Sequence, residues 1–112
     1  MNLSLIYPTQ FAEAERYFVS KYPNEAMGYI SNKGDFVPLE NDSLYPDSHA
    51  VHYDFSPKQY IETVIFLHSH PNRDETPSPF DLRHQKRWRK PWGILSIKEG
   101  KKDKWHIWGD DK

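Results

Sequence analysis

Hydrophobic positions near the start of the chain recur with the period of a helix. In residues 9–22 the apolar side chains are spaced three and four residues apart, at Phe11, Ala14, Phe18 and Tyr22. This spacing predicts one helix with a single apolar face. Pro8 and Thr9 are suited to its start, and Pro23 is suited to its end.

The rest of the chain predicts short strands with two further helices between them. The predicted strands are 25–31, 35–39, 51–54, 63–69, 92–98 and 104–108. The helices are predicted from Ser56-Pro57 to about 62 and over 79–89, with loops at 40–50 and 71–77. Segment 63–69 is almost continuously apolar, which is typical of a central strand covered on both faces. The pattern therefore predicts a mixed α/β fold, with a helix on each side of a central β-sheet.

Composition narrows the classes of function. A chain of 112 residues suits one domain, 1–112, and its 15 basic against 16 acidic residues argue against a cationic nucleic-acid binder. The absence of cysteine excludes disulfides, thiolate metal ligands and a cysteine nucleophile. No apolar run approaches the ~20 residues of a membrane span, and the first residues lack the features of a signal peptide. We therefore expect synthesis in the cytoplasm.

The stretch from His68 to Asp81 carries the pattern with the clearest chemistry. His68 and His70 lie two apart on a predicted strand, so both imidazoles face the same way. The strand ends at Pro71, and Asp81 lies in the first turn of the next predicted helix. Two imidazoles and one carboxylate suit zinc, and three protein ligands leave a position for water, as catalytic zinc sites do. The sequence thus predicts a Zn²⁺ site of His68, His70 and Asp81.

Two further residues are candidates for catalytic roles beside that site. Glu25 lies between the first helix and the first strand, where its carboxylate is the best candidate to accept a proton from water. The Ser78 hydroxyl is a candidate donor to a developing oxyanion. Structural alternatives remain open for both residues. Ser78-x-x-Asp81 also has the pattern of a helix capping box, and Glu25 alone is typical of a solvated carboxylate.

The combined spacing resembles the JAMM signature of JAB/MPN metallopeptidases. That signature has a Glu, then His-Ser/Thr-His, seven residues, Ser, two residues and Asp; here these are Glu25, His68-Ser69-His70, Ser78 and Asp81. The resemblance implies a single JAB/MPN domain of the cytidine-deaminase-like fold. It also implies zinc bound by the two histidines and Asp81, Glu25 as the general acid/base, and Ser78 steadying the tetrahedral intermediate. The implied substrate is a peptide or protein.

Nearly the whole chain is similar to the JAB domain of lambda-like phage tail-assembly proteins of the K type. The matching stretches are residues 22–26, 55–60, 68–71 and 91–96. Met27 stands where a cysteine often follows Glu-Ala in that family. Those proteins often continue into an NlpC/P60 peptidase domain, whereas this chain ends at Lys112. The resemblance implies a phage or prophage protein that works alone, with a separate NlpC/P60 peptidase or with other tail-tip proteins. Incorporation of the protein into the virion tail is a further expectation from the resemblance.

Two other hypotheses stay open at this point. One is a structural tail-tip component without catalysis; the other is a RadC-like JAB protein, because residues 74–79 resemble a loop of that family. The basic run 83–90 is interpreted as a solvated helix face with Trp88 in the core, and its alternative is a surface for an anionic partner. His84, three positions after Asp81, is a candidate for a group supporting the metal ligands.

Overall fold

A computed structural model describes residues 3–52 and 54–109. The helices are α1 (Leu3–Ile6), α2 (Pro8–Lys21), α3 (Pro57–Glu62) and α4 (Pro79–Trp88). The strands are β1 (Met27–Ser31), β2 (Phe36–Leu39), β3 (Thr63–Pro71), β4 (Trp92–Lys98) and β5 (Lys101–Trp108). No helix among the described residues is long and apolar enough to cross a membrane.

The five strands form one mixed sheet in the order β2-β1-β3-β4-β5. Strands β3 and β4 are parallel, and every other neighbouring pair is antiparallel. The apolar segment at 63–69 therefore forms the central strand, as the sequence predicts. Met27 pairs with His68 across β1 and β3, so the residues just before β1 lie beside the end of β3.

One face of the sheet packs against α2 and forms an aliphatic and aromatic core. Ile65 and Leu67 of β3 belong to this cluster and are almost completely buried. The face of α2 that meets them carries Phe11, Ala14 and Phe18, all buried. The three- and four-residue spacing that predicts an amphipathic helix thus positions its apolar face on the sheet.

The opposite face of the sheet carries a layer of aromatic rings and the two histidines of β3. Phe66 lies with its ring centroid 5.8 Å from that of Trp88 on α4 and 5.8 Å from that of Trp92 on β4. The His68 ring follows in the same row, 5.8 Å from Trp92. Because successive side chains of a strand point to opposite faces, β3 sends Ile65 and Leu67 to one layer and Phe66 and His68 to the other.

The structure corrects several predicted boundaries. Residues 51, 52 and 54 are not in a strand, so the predicted strand at 51–54 is wrong there, while its residue 53 lies outside the described residues. The segment instead follows a loop that is held by Asn41, because the side-chain oxygen of Asn41 accepts a hydrogen bond from the Val51 N–H at 3.1 Å. Strand β1 begins two residues later than predicted, β3 runs two residues further, and β5 begins at Lys101. Helix α1 was not predicted.

Candidate metal centre

The end of β3 brings the two predicted histidine ligands together. His68 and His70 are buried on the same face, with ring centroids 5.1 Å apart. Parallel pairing with β4 continues past both residues and ends at Pro71. The sheet therefore holds both imidazoles firmly at the point where the chain leaves β3 for a loop.

Asp81 reaches the same point from the first turn of α4. Its carboxylate lies 3.2 Å from His68 Nε2 and 3.1 Å from His70 Nε2. The helix start is fixed by a reciprocal capping box: Asp81 N–H donates to Ser78 Oγ at 3.0 Å, and Ser78 N–H donates to Asp81 Oδ2 at 2.9 Å. The capping interpretation of Ser78 is therefore confirmed, and the cap is what directs the Asp81 carboxylate toward the histidines.

The geometry of these three side chains fits a zinc ion. One ligand atom from each of His68, His70 and Asp81 lies within 4.8 Å of the others, and all three residues are buried. Zinc–ligand bonds of about 2.0–2.1 Å place neighbouring ligand atoms of a tetrahedron about 3.3 Å apart. The observed imidazole-to-carboxylate distances of 3.1 and 3.2 Å are close to that value.

The hydrogen bonds of the histidines support the same interpretation. His70 Nδ1 lies 2.9 Å from the Asp74 carbonyl oxygen, and a carbonyl only accepts, so Nδ1 carries the proton. His70 Nε2 therefore faces the Asp81 carboxylate, with Oδ2 3.1 Å away, and is the nitrogen that is available to a cation. Among the described residues, His68 Nε2 is a buried nitrogen without a properly oriented hydrogen-bond partner, despite its closeness to Asp81. A bound cation would satisfy both atoms.

Opposing effects act on the charge of Asp81. Burial raises the pKa of its carboxyl, but the adjacent His68 and His70 imidazoles and the Ser78 N–H together hold that pKa well below its usual range. Asp81 is therefore ionised at neutral pH. An ionised carboxylate is the form in which aspartate binds a metal.

Glu25 lines the same cavity as these three residues and is only 5% exposed. Its backbone is fixed at both ends: the Glu25 N–H donates to the Pro46 carbonyl at 2.7 Å, and its carbonyl accepts from the Asn41 side chain at 2.9 Å. Its carboxylate forms an ion pair with Arg73. Glu25 is thus a buried, paired carboxylate, and the solvated alternative is wrong.

A single cavity of about 530 Å³ connects these residues. Its wall includes all five residues selected from the sequence, namely Glu25, His68, His70, Ser78 and Asp81. An aromatic wall completes it, made of Phe55, Phe66, Phe80, Trp88 and Trp92. The cavity therefore places an apolar surface directly beside a set of polar and ionisable groups, which is typical of ligand sites.

His84 lies on the cavity wall and, among the described residues, forms no hydrogen bond with a candidate metal ligand. Its ring lies 4.2 Å from that of Phe80 and 6.1 Å from that of Trp92. Burial lowers the pKa of His84, and the nearby Arg87 lowers it further. His84 is therefore part of the aromatic wall rather than a group holding Asp81.

The sequence analysis missed two residues that shape the site. Arg73 contributes the guanidinium that pairs with Glu25. Ser69, between the two histidines, faces the other side of β3, where its Oγ accepts the Ala26 N–H at 2.9 Å and so fixes the residue next to Glu25. Arg73 could have been selected from the sequence, because it is a cationic residue in the loop between the candidate ligands. The role of Ser69 depends on a strand pairing that the spacing of residues does not reveal.

Comparison with known sequences agrees with this geometry. Residues 10–108 match the family of prokaryotic homologs of the JAB domain. The chain is also 30% identical over 90 residues to tail tip assembly protein K of Escherichia phage N15. That alignment covers 72% of this chain and 36% of the phage protein, so the chain spans little more than a third of this relative. The resemblance drawn from the sequence is thereby confirmed.

Two solved structures share the fold. A protein from Desulfitobacterium hafniense aligns with a TM-score of 0.52 and 21% identity, covering 85% of this chain and 84% of that chain. A protein from Salinibacter ruber aligns with a TM-score of 0.52 and 19% identity, covering 90% of this chain and 78% of that chain. These similarities confirm the predicted mixed α/β fold and concern the fold alone.

Proposed function

This chain belongs to the family of prokaryotic homologs of the JAB domain, and from that premise we propose that it is a zinc-dependent metallopeptidase or isopeptidase of the JAMM type. The observation that supports this most directly is the buried group of His68, His70 and Asp81, whose ligand atoms lie within 4.8 Å of one another. His68 Nε2 is buried beside Asp81 but has no properly oriented hydrogen-bond partner among the described residues, which supports a role in holding a cation.

The proposed chemistry divides the work among the cavity residues. The two histidines and Asp81 would hold the zinc ion, which would act as a Lewis acid and make water reactive near neutral pH. Glu25 would accept a proton from the attacking water and return it to the leaving amine, as a general base that then becomes a general acid. Ser78 donates its hydroxyl to the carbonyl oxygen as charge develops there. The aromatic wall excludes water and strengthens these interactions.

The first test is the metal content of the purified protein. We expect about one zinc per chain in protein prepared without chelator, and none in the His70→Ala variant. Chelation should lower the melting temperature of the wild-type protein, because a ligand that binds only the native state stabilises it by mass action. Absence of zinc from the wild-type protein, or melting that is unchanged by chelator, would overturn the metal site.

A second test separates the chemistry from metal binding. Glu25→Gln keeps the shape of the side chain and removes the proton acceptor, so the variant should retain zinc while hydrolysis falls by about 10²–10⁴-fold. At saturating zinc, Ser78→Ala should raise the activation free energy of hydrolysis by about 2.7–4 kcal/mol if Ser78 donates to the oxyanion. Full turnover of a confirmed substrate by Glu25→Gln would exclude the proposed role.

The similarity to a phage tail tip assembly protein favours phage tail assembly as the biological setting, and it also supports a second candidate function. We propose that the chain acts in phage tail assembly, with other tail-tip proteins as partners, and that it enters the virion tail. The second candidate is a tail-tip component in which the site is structural. A phage carrying Glu25→Gln distinguishes the two: the enzyme hypothesis expects tails that fail to mature or infect, and the structural hypothesis expects normal infectivity.

A further inference from the structure

Arg73 is the one cavity-lining cation that contacts a candidate catalytic residue in the described part of the chain. It lies in the loop between β3 and α4, and its side chain is 41% exposed, whereas that of Glu25 is 5% exposed. The ion pair therefore joins a solvent-accessible guanidinium to a buried carboxylate. A guanidinium has five N–H donors, cannot give up a proton in proteins and can bind a second carboxylate.

The loop holds Arg73 in this place through its two neighbours. Asn72 donates its N–H to the Ile97 carbonyl at 2.6 Å, and its side-chain oxygen accepts from the Tyr22 hydroxyl at 2.8 Å. On the other side, the Asp74 carbonyl accepts from His70 Nδ1 at 2.9 Å. The backbone on either side of Arg73 is thus tied to the sheet and to a metal ligand, so its guanidinium stays near Glu25 even if the ion pair opens.

The pair poses a chemical conflict for the proposed reaction. A carboxylate oxygen that accepts a guanidinium N–H has less capacity to take a proton from water, and Arg73 has no lone pair through which it could relay one. Arg73 donates to Glu25 Oε2, so a second anion bound by Arg73 would free this oxygen for proton transfer. Asp81 is already engaged by Ser78, His68 and His70, so it is not free to be that anion.

We propose that Arg73 selects substrates that carry a carboxylate beside an apolar side chain, and that capture of this carboxylate releases Glu25 for proton transfer. This inference rests on the proposed function. The apolar side chain lies against the aromatic wall, of which Phe66 and Trp92 line the cavity together with Arg73. Arg73 is a specificity-determining residue, and Glu25 remains the catalytic one.

The test measures binding and requires no hydrolysis. The probes are acetyl-phenylalanyl-alanyl-glutamate amide and its glutamine counterpart, which differ only in the carboxylate. Their dissociation constants are measured by tryptophan fluorescence, because Trp88 and Trp92 line the cavity, in zinc-loaded and in metal-free protein. The metal-free measurement removes any direct contact of the carboxylate with zinc. We expect wild-type protein to bind the acidic peptide roughly tenfold more tightly in both states.

Five variants assign the preference to Arg73. Arg73→Gln should abolish it, and Arg73→Lys should restore part of it. Arg83→Gln is the matched control, since Arg83 lines the same cavity, is exposed and forms no ion pair among the described residues, and the preference should survive there. Glu25→Gln should tighten binding of the acidic peptide, and the Glu25→Gln/Arg73→Gln double variant should lose that gain.

The outcomes are decisive in both directions. Equal binding of the two peptides by wild-type protein, absence of binding, or survival of the preference in Arg73→Gln would each overturn the proposal. Loss of the preference in Arg83→Gln but not in Arg73→Gln would overturn it as well. None of these results depends on zinc content or turnover, so the proposed hydrolase is judged separately by its own metal and Glu25→Gln measurements.

Discussion

The two faces of the central sheet share strand β3 but differ in what they bury. On the α2 face, Ile65 and Leu67 pack among other apolar side chains and carry no polar atom that needs a partner. On the cavity face, the next residues along the same strand, Phe66 and His68, lie in an aromatic layer. There His68 Nε2 is buried without a hydrogen-bond partner among the described residues.

This difference indicates a division of labour within one strand. Burial of apolar area on the α2 face supplies the stability of the fold, while the cavity face tolerates groups that are costly until a ligand satisfies them. Functional sites are where sequences are expected to depart from the rules of packing. Substitutions at neighbouring residues on the two faces test this division of labour.

The largest effect should come from the α2 face. Ile65→Ala should lower the free energy of unfolding by about 2–5 kcal/mol, because it leaves a cavity at a completely buried position. The zinc content of the folded protein should not change, since the side chain faces away from the metal ligands. Urea unfolding and elemental analysis of the same variant measure both quantities.

The matched change on the cavity face is His68→Ala. It should abolish zinc binding and lower the unfolding free energy of the metal-free protein by about 2 kcal/mol, at the low end of the cost of truncating a buried side chain, because the lost ring contact with Trp92 is offset by removal of a buried nitrogen without an oriented hydrogen-bond partner. The opposite pattern, with zinc lost from Ile65→Ala and retained by His68→Ala, would contradict the division between the faces.

The two faces also differ in how much the sequence could reveal. The aliphatic face can be predicted from the spacing of apolar residues. The helical spacing in α2 predicts an amphipathic helix, the apolar run of β3 predicts a central strand, and the structure confirms both elements. The grouping of the candidate metal ligands could be predicted because a strand fixes residues two apart on one face and because a helix N-terminus fixes Asp81. Both are local rules that spacing alone carries.

The rest of the site depends on long-range pairing that no local rule contains. Glu25 and Arg73 are 48 residues apart, and their contact requires the loop at 71–77 to fold back over the start of β1. The strand expected at 51–54 was wrong because tertiary hydrogen bonds to Asn41 hold that segment in a loop. The sequence therefore predicted which residues share the cavity better than it predicted the contacts around them.

A smaller effect should arise where the two faces are joined, at Ser69. Its hydroxyl accepts the Ala26 N–H on the α2 side, while its neighbours His68 and His70 face the cavity. Ser69→Ala leaves that buried N–H without a partner and should cost about 1–3 kcal/mol of unfolding free energy. Hydrogen exchange of the Ala26 amide should accelerate. Ser69→Thr keeps the hydroxyl and is the control; equal destabilisation by both variants would show that packing, not the hydrogen bond, is responsible.

The smallest effect is expected from loss of a helix cap. Two caps can be compared, only one of which positions a candidate metal ligand. Ser56 caps α3 and Ser78 caps α4 by the same reciprocal box, with Gln59 and Asp81 as the respective partners. Replacing either serine by alanine removes one cap hydrogen bond and should cost about 1 kcal/mol of unfolding free energy in both cases.

The two caps should differ in their effect on zinc. Ser78 fixes the turn that directs the Asp81 carboxylate, so Ser78→Ala should weaken zinc binding about tenfold, as loss of a group supporting a metal ligand does. Ser56→Ala should leave zinc affinity unchanged, because Gln59 is not a ligand. Competition with a chelator of known affinity measures this difference. Equal zinc affinities in the two variants would mean that strand β3 and the body of α4 hold Asp81 in place without the cap.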